Sequence, residues 1–172
     1  MESALQHDFA NLFARIVTGA QQDLAPWQGS PYRELVAGVA PRAVPGLVVR
    51  CLIAALERQG LAAALPARGE RAQAHLRIGA GAHYQVRAAT RREQSPPFAF
   101  HGIEGALPTI LLAIAPQRVN AWLVAPERLA SLGASASGRL EVDPQAPPWH
   151  GGPGGDGSLS ALIAALRTAP GR

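Results

Sequence analysis

Between residues 75 and 92 the chain places His75, Arg77, Gln85, Arg87, Arg91 and Arg92 along two segments of alternating character. Alternation has a period of two, so His75 and Arg77 share one face of the first segment, and Gln85 and Arg87 share one face of the second. Guanidinium groups present planar forks of donors that match phosphate oxygens. A face carrying Arg77, Gln85 and Arg87, extended by Arg91 and Arg92, therefore points to contact with a phosphate backbone. A solvated sheet face, or one packed on a partner, is the plainer alternative and remains open.

What the chain lacks narrows the chemistry. All sixteen basic residues are arginines, so no mechanism that needs a lysine can run here. The net charge of +4 permits nucleic-acid binding without requiring it. Cys51 is the single cysteine, which excludes an internal disulfide and a cysteine zinc cluster and suits the cytoplasm. It reads as a small buried core residue. No apolar run is long enough to span a membrane. The first 30 residues carry Glu2, Asp8 and Asp23 without a basic start, which is unlike a signal peptide. His101 and Glu104 are the nearest thing to an acid–base pair, but no nucleophile stands at a recognisable spacing. The run from Gly151 to Gly155 has neither the Lys-Ser/Thr nor the leading strand of a phosphate loop. Trp27 and Trp149 lie in Pro/Gly-rich stretches, where they would anchor loops or meet a partner, and Trp122 reads as core.

The elements that must position these residues follow from periodicity. Leu5, Phe9, Leu12, Phe13, Ile16 and Val17 predict an amphipathic helix over 3–24. Ser30 is expected to cap a short helix with Pro31 in its first position, running through Val39. A nearly apolar helix over 46–59 should end at Gly60 in a left-handed cap. Residues 61–65 suggest a short strand. Residues 73–78 and 83–91 predict a hairpin turning at Gly79-Ala80-Gly81, with Tyr84, Val86 and Ala88 on its apolar side. The continuous apolar run 109–114 predicts a buried strand, with 119–124 as its neighbour. One or two helical turns over 126–132, an edge strand over 139–142, an irregular loop over 144–157 and a last helix capped by Ser158 complete the order. Leu159, Leu162, Ile163 and Leu166 form the apolar face of that helix. The expected class is α/β (α+β), a mixed sheet flanked by helices.

Residues 42–168 resemble small restriction-endonuclease-like proteins of the PD-(D/E)xK superfamily. The resemblance is carried by Arg42-Ala43-Val44-Pro45-Gly46-Leu47 leading into a helix, and by Tyr84-Gln85-Val86-Arg87-Ala88-Ala89-Thr90 ending the hairpin. It continues through Phe98-Ala99-Phe100-His101-Gly102-Ile103 and the paired strings Ile110-Leu111-Leu112-Ala113-Ile114-Ala115-Pro116 and Asn120-Ala121-Trp122-Leu123-Val124-Ala125-Pro126. The stretch from Val142-Asp143-Pro144 to Pro148-Trp149 closes it. The resemblance implies a helix, a three-stranded meander, a helix and a strand. It divides the chain into an N-terminal helical segment (1–40), a nuclease-like core (41–143) and a loop with a C-terminal helix packed on the core (144–172). It also implies a site where Asp and Glu hold Mg²⁺ and a lysine assists the attacking water.

Position by position, that site is replaced. Arg50 stands where a Glu often lies on the helix. His75, with Ala74 beside it, falls near the Asp position. Gln85 takes the Glu position and Arg87 the lysine position. Mg²⁺ seeks charged oxygen ligands, and of these four only Gln85 offers an oxygen, a neutral one. Arginine stays protonated and cannot exchange a proton with water. The expectation is therefore a vestigial site of Arg50, His75, Gln85 and Arg87, with no catalytic residue, no metal and no cofactor. The chain would act as a catalytically inactive nuclease-like domain that binds DNA or a catalytic partner subunit in a restriction or defence assembly. Two alternatives stay open. One is an active Mg²⁺-dependent endonuclease with a displaced site built from Glu34, Glu70 or Glu104. The other is an interaction subunit without nucleic-acid contact, working with a protein partner or as a homodimer through the first helix.

Overall fold

The computed structural model describes residues 24–38, 40–70, 75–90, 97–149 and 157–169. The predicted helix over 3–24, Arg91, Arg92 and the Gly151–Gly155 run lie outside the described residues, apart from Leu24.

The chain passes through a 3-10 turn, Ala25–Trp27, to a short helix α1 (Arg33–Ala37), then to α2 (Val44–Arg58). Strands β1 (Ala63–Ala64), β2 (Leu76–Ile78), β3 (Ala82–Thr90), β4 (Phe98–His101), β5 (Thr109–Ala115) and β6 (Arg118–Val124) follow. Two short helices, α3 (Pro126–Ser131) and α4 (Ala134–Ser137), lead to β7 (Arg139–Val142) and the last helix α5 (Leu159–Thr168). Strands β1, β2, β3, β5 and β6 form one five-stranded sheet in that order. β1, β2 and β3 are an antiparallel meander, β3 and β5 are parallel, and β6 returns antiparallel to β5. β4 and β7 pair in a separate two-stranded sheet. The expected α/β architecture, a mixed sheet flanked by helices, is what the chain forms.

The buried run in β5 explains the layering. Ile110, Leu112 and Ile114 enter one core with Val48, Leu52 and Leu56 of α2 and Leu162 and Leu166 of α5. Leu111 and Ala113 point the other way, into a second core with Phe98, Phe100, Leu140, Val142 and Trp122. Both faces of β5 are covered, so its sequence cannot alternate. Helices cover one face, and the small sheet with α3 and α4 covers the other.

Several local expectations hold. α2 carries Pro45 in its first turn, where the missing N–H costs nothing. It ends with Gly60 at φ +76°, the Gly60 N–H on the Glu57 carbonyl and the Leu61 N–H on the Leu56 carbonyl, the paired bonds of a Schellman motif. The Ser158 hydroxyl accepts from the Ala161 N–H at 3.0 Å and starts α5.

Other expectations are corrected. Ser30 does not cap a helix beginning at Pro31. Its hydroxyl accepts from the Tyr32 N–H at 3.0 Å and donates to the Pro116 carbonyl, and the helix begins at Arg33. Cys51 is exposed, because the buried stripe of α2 runs along Val48, Val49, Leu52 and Leu56 and leaves it outside. Leu159 is exposed as well; Leu162, Ala165 and Leu166 carry the contact of α5. Trp27 and Trp149 are buried within the chain and offer no partner surface. Trp149 meets Trp122 edge-on, ring centroids 5.8 Å apart at 74°. β7 is an edge strand as expected, paired with β4 in the small sheet. The helix implied between the meander and the next parallel strand is absent among the described residues, and β4 occupies that crossover.

Gly157 shows how tightly the second core is closed. Its carbonyl accepts from the Ala121 N–H at 2.9 Å, which carries the chain along the free side of β6. Its φ is +72°, and a Cβ there would lie 2.8 Å from the Trp122 Nε1. Gly157→Ala is expected to cost about 2 kcal/mol, from left-handed backbone strain and displacement of a packed indole. Urea denaturation measures it, and a midpoint unchanged from wild type refutes the close approach.

Candidate functional site

The free part of β3 defines the site. β2 pairs with β3 only through Tyr84, as Leu76 faces Tyr84. Beyond it the His75 N–H donates to the Tyr84 carbonyl at 2.9 Å. The His75 ring then turns onto the strand edge, where the Val86 N–H reaches its Nδ1 at 3.1 Å and the Val86 carbonyl lies 3.0 Å from the same atom. One nitrogen can serve only one of these at a time. Bare, it accepts from the N–H; protonated, it donates to the carbonyl. The imidazole stands in for a strand neighbour at this point.

A cleft of about 290 Å³ opens here, lined by Pro45, Gly46, Val49 and Arg50 of α2, Leu65 and Pro66 after β1, His75, and Val86 and Arg87 of β3. Three of the four positions singled out from sequence, Arg50, His75 and Arg87, therefore meet in one place. Arg50 projects from the exposed side of α2, next to the buried Val49.

Gln85 is the fourth, and it does not face the cleft. It is buried at 1 % exposure, with its Oε1 accepting a long hydrogen bond from the Glu104 N–H at 3.4 Å and the Thr109 hydroxyl at 3.5 Å. The alternation was read correctly, since Tyr84 and Val86 enter the helix-side core and Gln85, Arg87 and Ala89 lie on the other face. What covers that face was not readable. It is the segment after β4, so the expected polar, solvated face of Gln85 and Arg87 is largely closed. Arg77 is exposed on β2 opposite His83 and is not among the lining residues.

Arg87 is held in an unusual way. Its Nη2 lies 3.5 Å from a Glu104 carboxylate oxygen. Its guanidinium lies against Gly102, where a Cβ would come within 3.3 Å of Cζ. Its Nε is buried without a hydrogen-bond partner. Burial pulls the Arg87 pKa below its ordinary value, and Glu104 opposes that shift. The group stays a cation. It is incompletely paired, and an orphaned buried donor of this kind favours an incoming acceptor.

Glu104 was the acid paired with His101 in the sequence reading. Its partner is Arg87, while His101 is exposed at the end of β4, opposite Arg139. A glutamate 17 residues beyond Arg87 in the chain has no local spacing that would reveal the pairing. Glu70 reaches His83 at 3.3 Å, and Glu34 lies on α1.

These residues do not fit the Mg²⁺ site that the family resemblance implies. None of the lining residues is an acid, two are permanent cations, and the oxygen of Gln85 is turned away and already accepting. No group of three His, Cys, Asp or Glu that could hold a metal occurs among the described residues. The permanent charges among the lining residues are the guanidinium groups of Arg50 and Arg87.

Comparison with family models, with curated proteins and with solved structures finds no match. No helix among the described residues is long and apolar enough to cross a membrane.

The electrostatics of the cleft set a pH response. Burial, and then the Arg87 charge, push the His75 pKa below 6.5; the Val86 carbonyl and Glu104 pull weakly the other way. The folded chain thus binds this proton less readily than the unfolded chain. As pH falls below 6.5 the unfolded state takes up the proton first, and stability drops until the lower folded value is passed. His75→Asn removes the titrating group. Melting temperatures recorded from neutral pH down to about pH 5 should fall less steeply in the variant than in the wild type. Parallel curves would show that His75 does not carry this proton linkage.

Proposed function

We propose that the chain is a nuclease-like domain without metal-dependent catalysis that binds DNA through the phosphates, alone or beside a catalytic subunit of a restriction or defence assembly. The observation that carries this reading is the meeting of Arg50, His75 and Arg87 in one cleft. These residues come from a helix, a strand end and a central strand, and they are the positions where the resemblance places acids and a lysine. A nuclease-like scaffold that kept its cleft but exchanged its ligands would retain phosphate affinity and lose the ion.

DNA binding through arginines must weaken steeply with salt, because each neutralised phosphate releases a counterion. The test is DNA affinity across a salt series, with plasmid cleavage in Mg²⁺ scored alongside. The reading expects binding at low salt, a steep salt slope and intact plasmid. Cutting by the pure protein that is abolished by changing Gln85 and Arg87 would favour a displaced endonuclease site instead.

A second reading has one observation behind it. An apolar groove of about 200 Å³ runs between α1, α2 and the sheet, lined among others by Tyr32, Leu35, Cys51, Leu112 and the exposed Leu159. A protein-interaction subunit would use such a groove. Absence of any DNA binding at low salt would leave that reading standing.

A further inference from the structure

The cleft is not cationic throughout, and its mixed lining suggests what enters it. The charged and polar Arg50, His75 and Arg87 line it together with the apolar Pro45, Leu65 and Pro66. Leu65 is 42 % exposed, one of only two large hydrophobic side chains so exposed among the described residues. A duplex offers an outer surface of phosphates and sugars, which would engage the cations and leave this aliphatic wall against water. An unpaired nucleotide has both a phosphate for the cations and an apolar base face for the wall. The volume of about 290 Å³ suits one small ligand, at the lower end of ordinary ligand pockets.

We infer that the cleft takes a single unpaired deoxynucleotide, at a strand end or within single-stranded DNA, with its phosphate on Arg50 and Arg87 and its base against Leu65 and the flanking prolines. The inference rests on the reading of the cleft as a phosphate site and specifies its ligand. His75 has a place in it. The Val86 backbone holds Nδ1, which leaves Nε2 as the ring atom available to a base edge or phosphate oxygen. Bases read outside a duplex are held in this manner, between apolar side chains and a few polar groups.

The test uses the full chain and a labelled thymidine oligonucleotide of about 12 nucleotides, long enough to cross one site, against the same strand annealed to its complement. Fluorescence anisotropy at low salt reads both affinities for the wild type, Leu65→Ser and Arg50→Ala. The single strand should bind about tenfold more tightly than the duplex, as expected where a base is held as well as a phosphate. Leu65→Ser should remove most of that advantage, weakening the single strand much more than the duplex. Arg50→Ala should weaken both. Leu65 is exposed, so its replacement does not threaten the fold. Equal binding of both forms, or a Leu65→Ser protein with the wild-type preference, overturns the inference while phosphate binding stands. Failure of both forms to bind at low salt overturns the phosphate reading itself.

Discussion

Trp122→Ala is expected to be among the most damaging single substitutions in the second core, costing about 3–5 kcal/mol. Trp122 is 1 % exposed at the middle of β6, paired across the sheet with Leu111. Trp149 lies edge-on to its ring, and Gly157 closes beneath it. Truncation leaves a cavity whose walls come from separate parts of the chain, a strand of the main sheet, the stretch after β7 and the approach to α5. Those walls cannot collapse together without moving the small sheet. Domains have only about 5–15 kcal/mol in total, so the loss is a large share of stability. For a chain of this size it corresponds to a fall in melting temperature of roughly 10 °C. Scanning calorimetry measures it. A shift of only a degree or two would mean that Trp149 and Gly157 do not pack on this ring.

Arg87→Met should separate stability from binding. The wild-type guanidinium is mostly removed from water, yet its one charged partner, Glu104, is half exposed and 3.5 Å away. Such a pair gains little from attraction and costs much in desolvation. Methionine keeps the length of the side chain and fills the space beside Gly102 without a charge. The variant should fold at least as stably as the wild type, by on the order of 1 kcal/mol, because Glu104 returns to water at small cost. DNA binding at low salt should fall at least about tenfold, the loss of one charge-assisted phosphate contact with its orphaned donor. Arg87→Lys keeps the charge but not the fork and should fall between the two. Thermal melts and anisotropy on the same preparations decide the matter. A destabilised variant that still binds DNA would place the function of Arg87 in the fold and not in the cleft.

The hairpin shows how far the residues could be read. Alternation alone placed Tyr84 and Val86 on one face and Gln85 and Arg87 on the other, and the register of Leu76 against Tyr84 agrees with it. The same pattern could not say that the segment after β4 would close over Gln85, because that contact joins residues 19 apart through hydrogen bonds no local motif announces. Cys51 failed for a related reason. A helix as apolar as α2 offers more than one stripe for burial, and only the sheet beneath it chose Val48, Val49, Leu52 and Leu56. Trp149 sits in a run of Pro and Gly that reads as surface, and it became core because Trp122 lies opposite.

The meeting of Arg50, His75 and Arg87 was not legible in the local sequence pattern. Spacing could not supply it, since the three lie on different elements with a strand and a turn between them. By itself the sequence determined the identity of the elements, the buried centre at β5, the caps at Gly60 and Ser158, and a repertoire of arginine without lysine. These rest on periodicity and on local backbone chemistry, which act over a few residues. The tertiary structure decided which face was covered and by what. It turned His75 onto the edge of β3 and left the Arg87 Nε buried without a partner beside Gly102. Those are long-range packing outcomes, set by how layers fit against each other, and no stretch of the chain contains them alone.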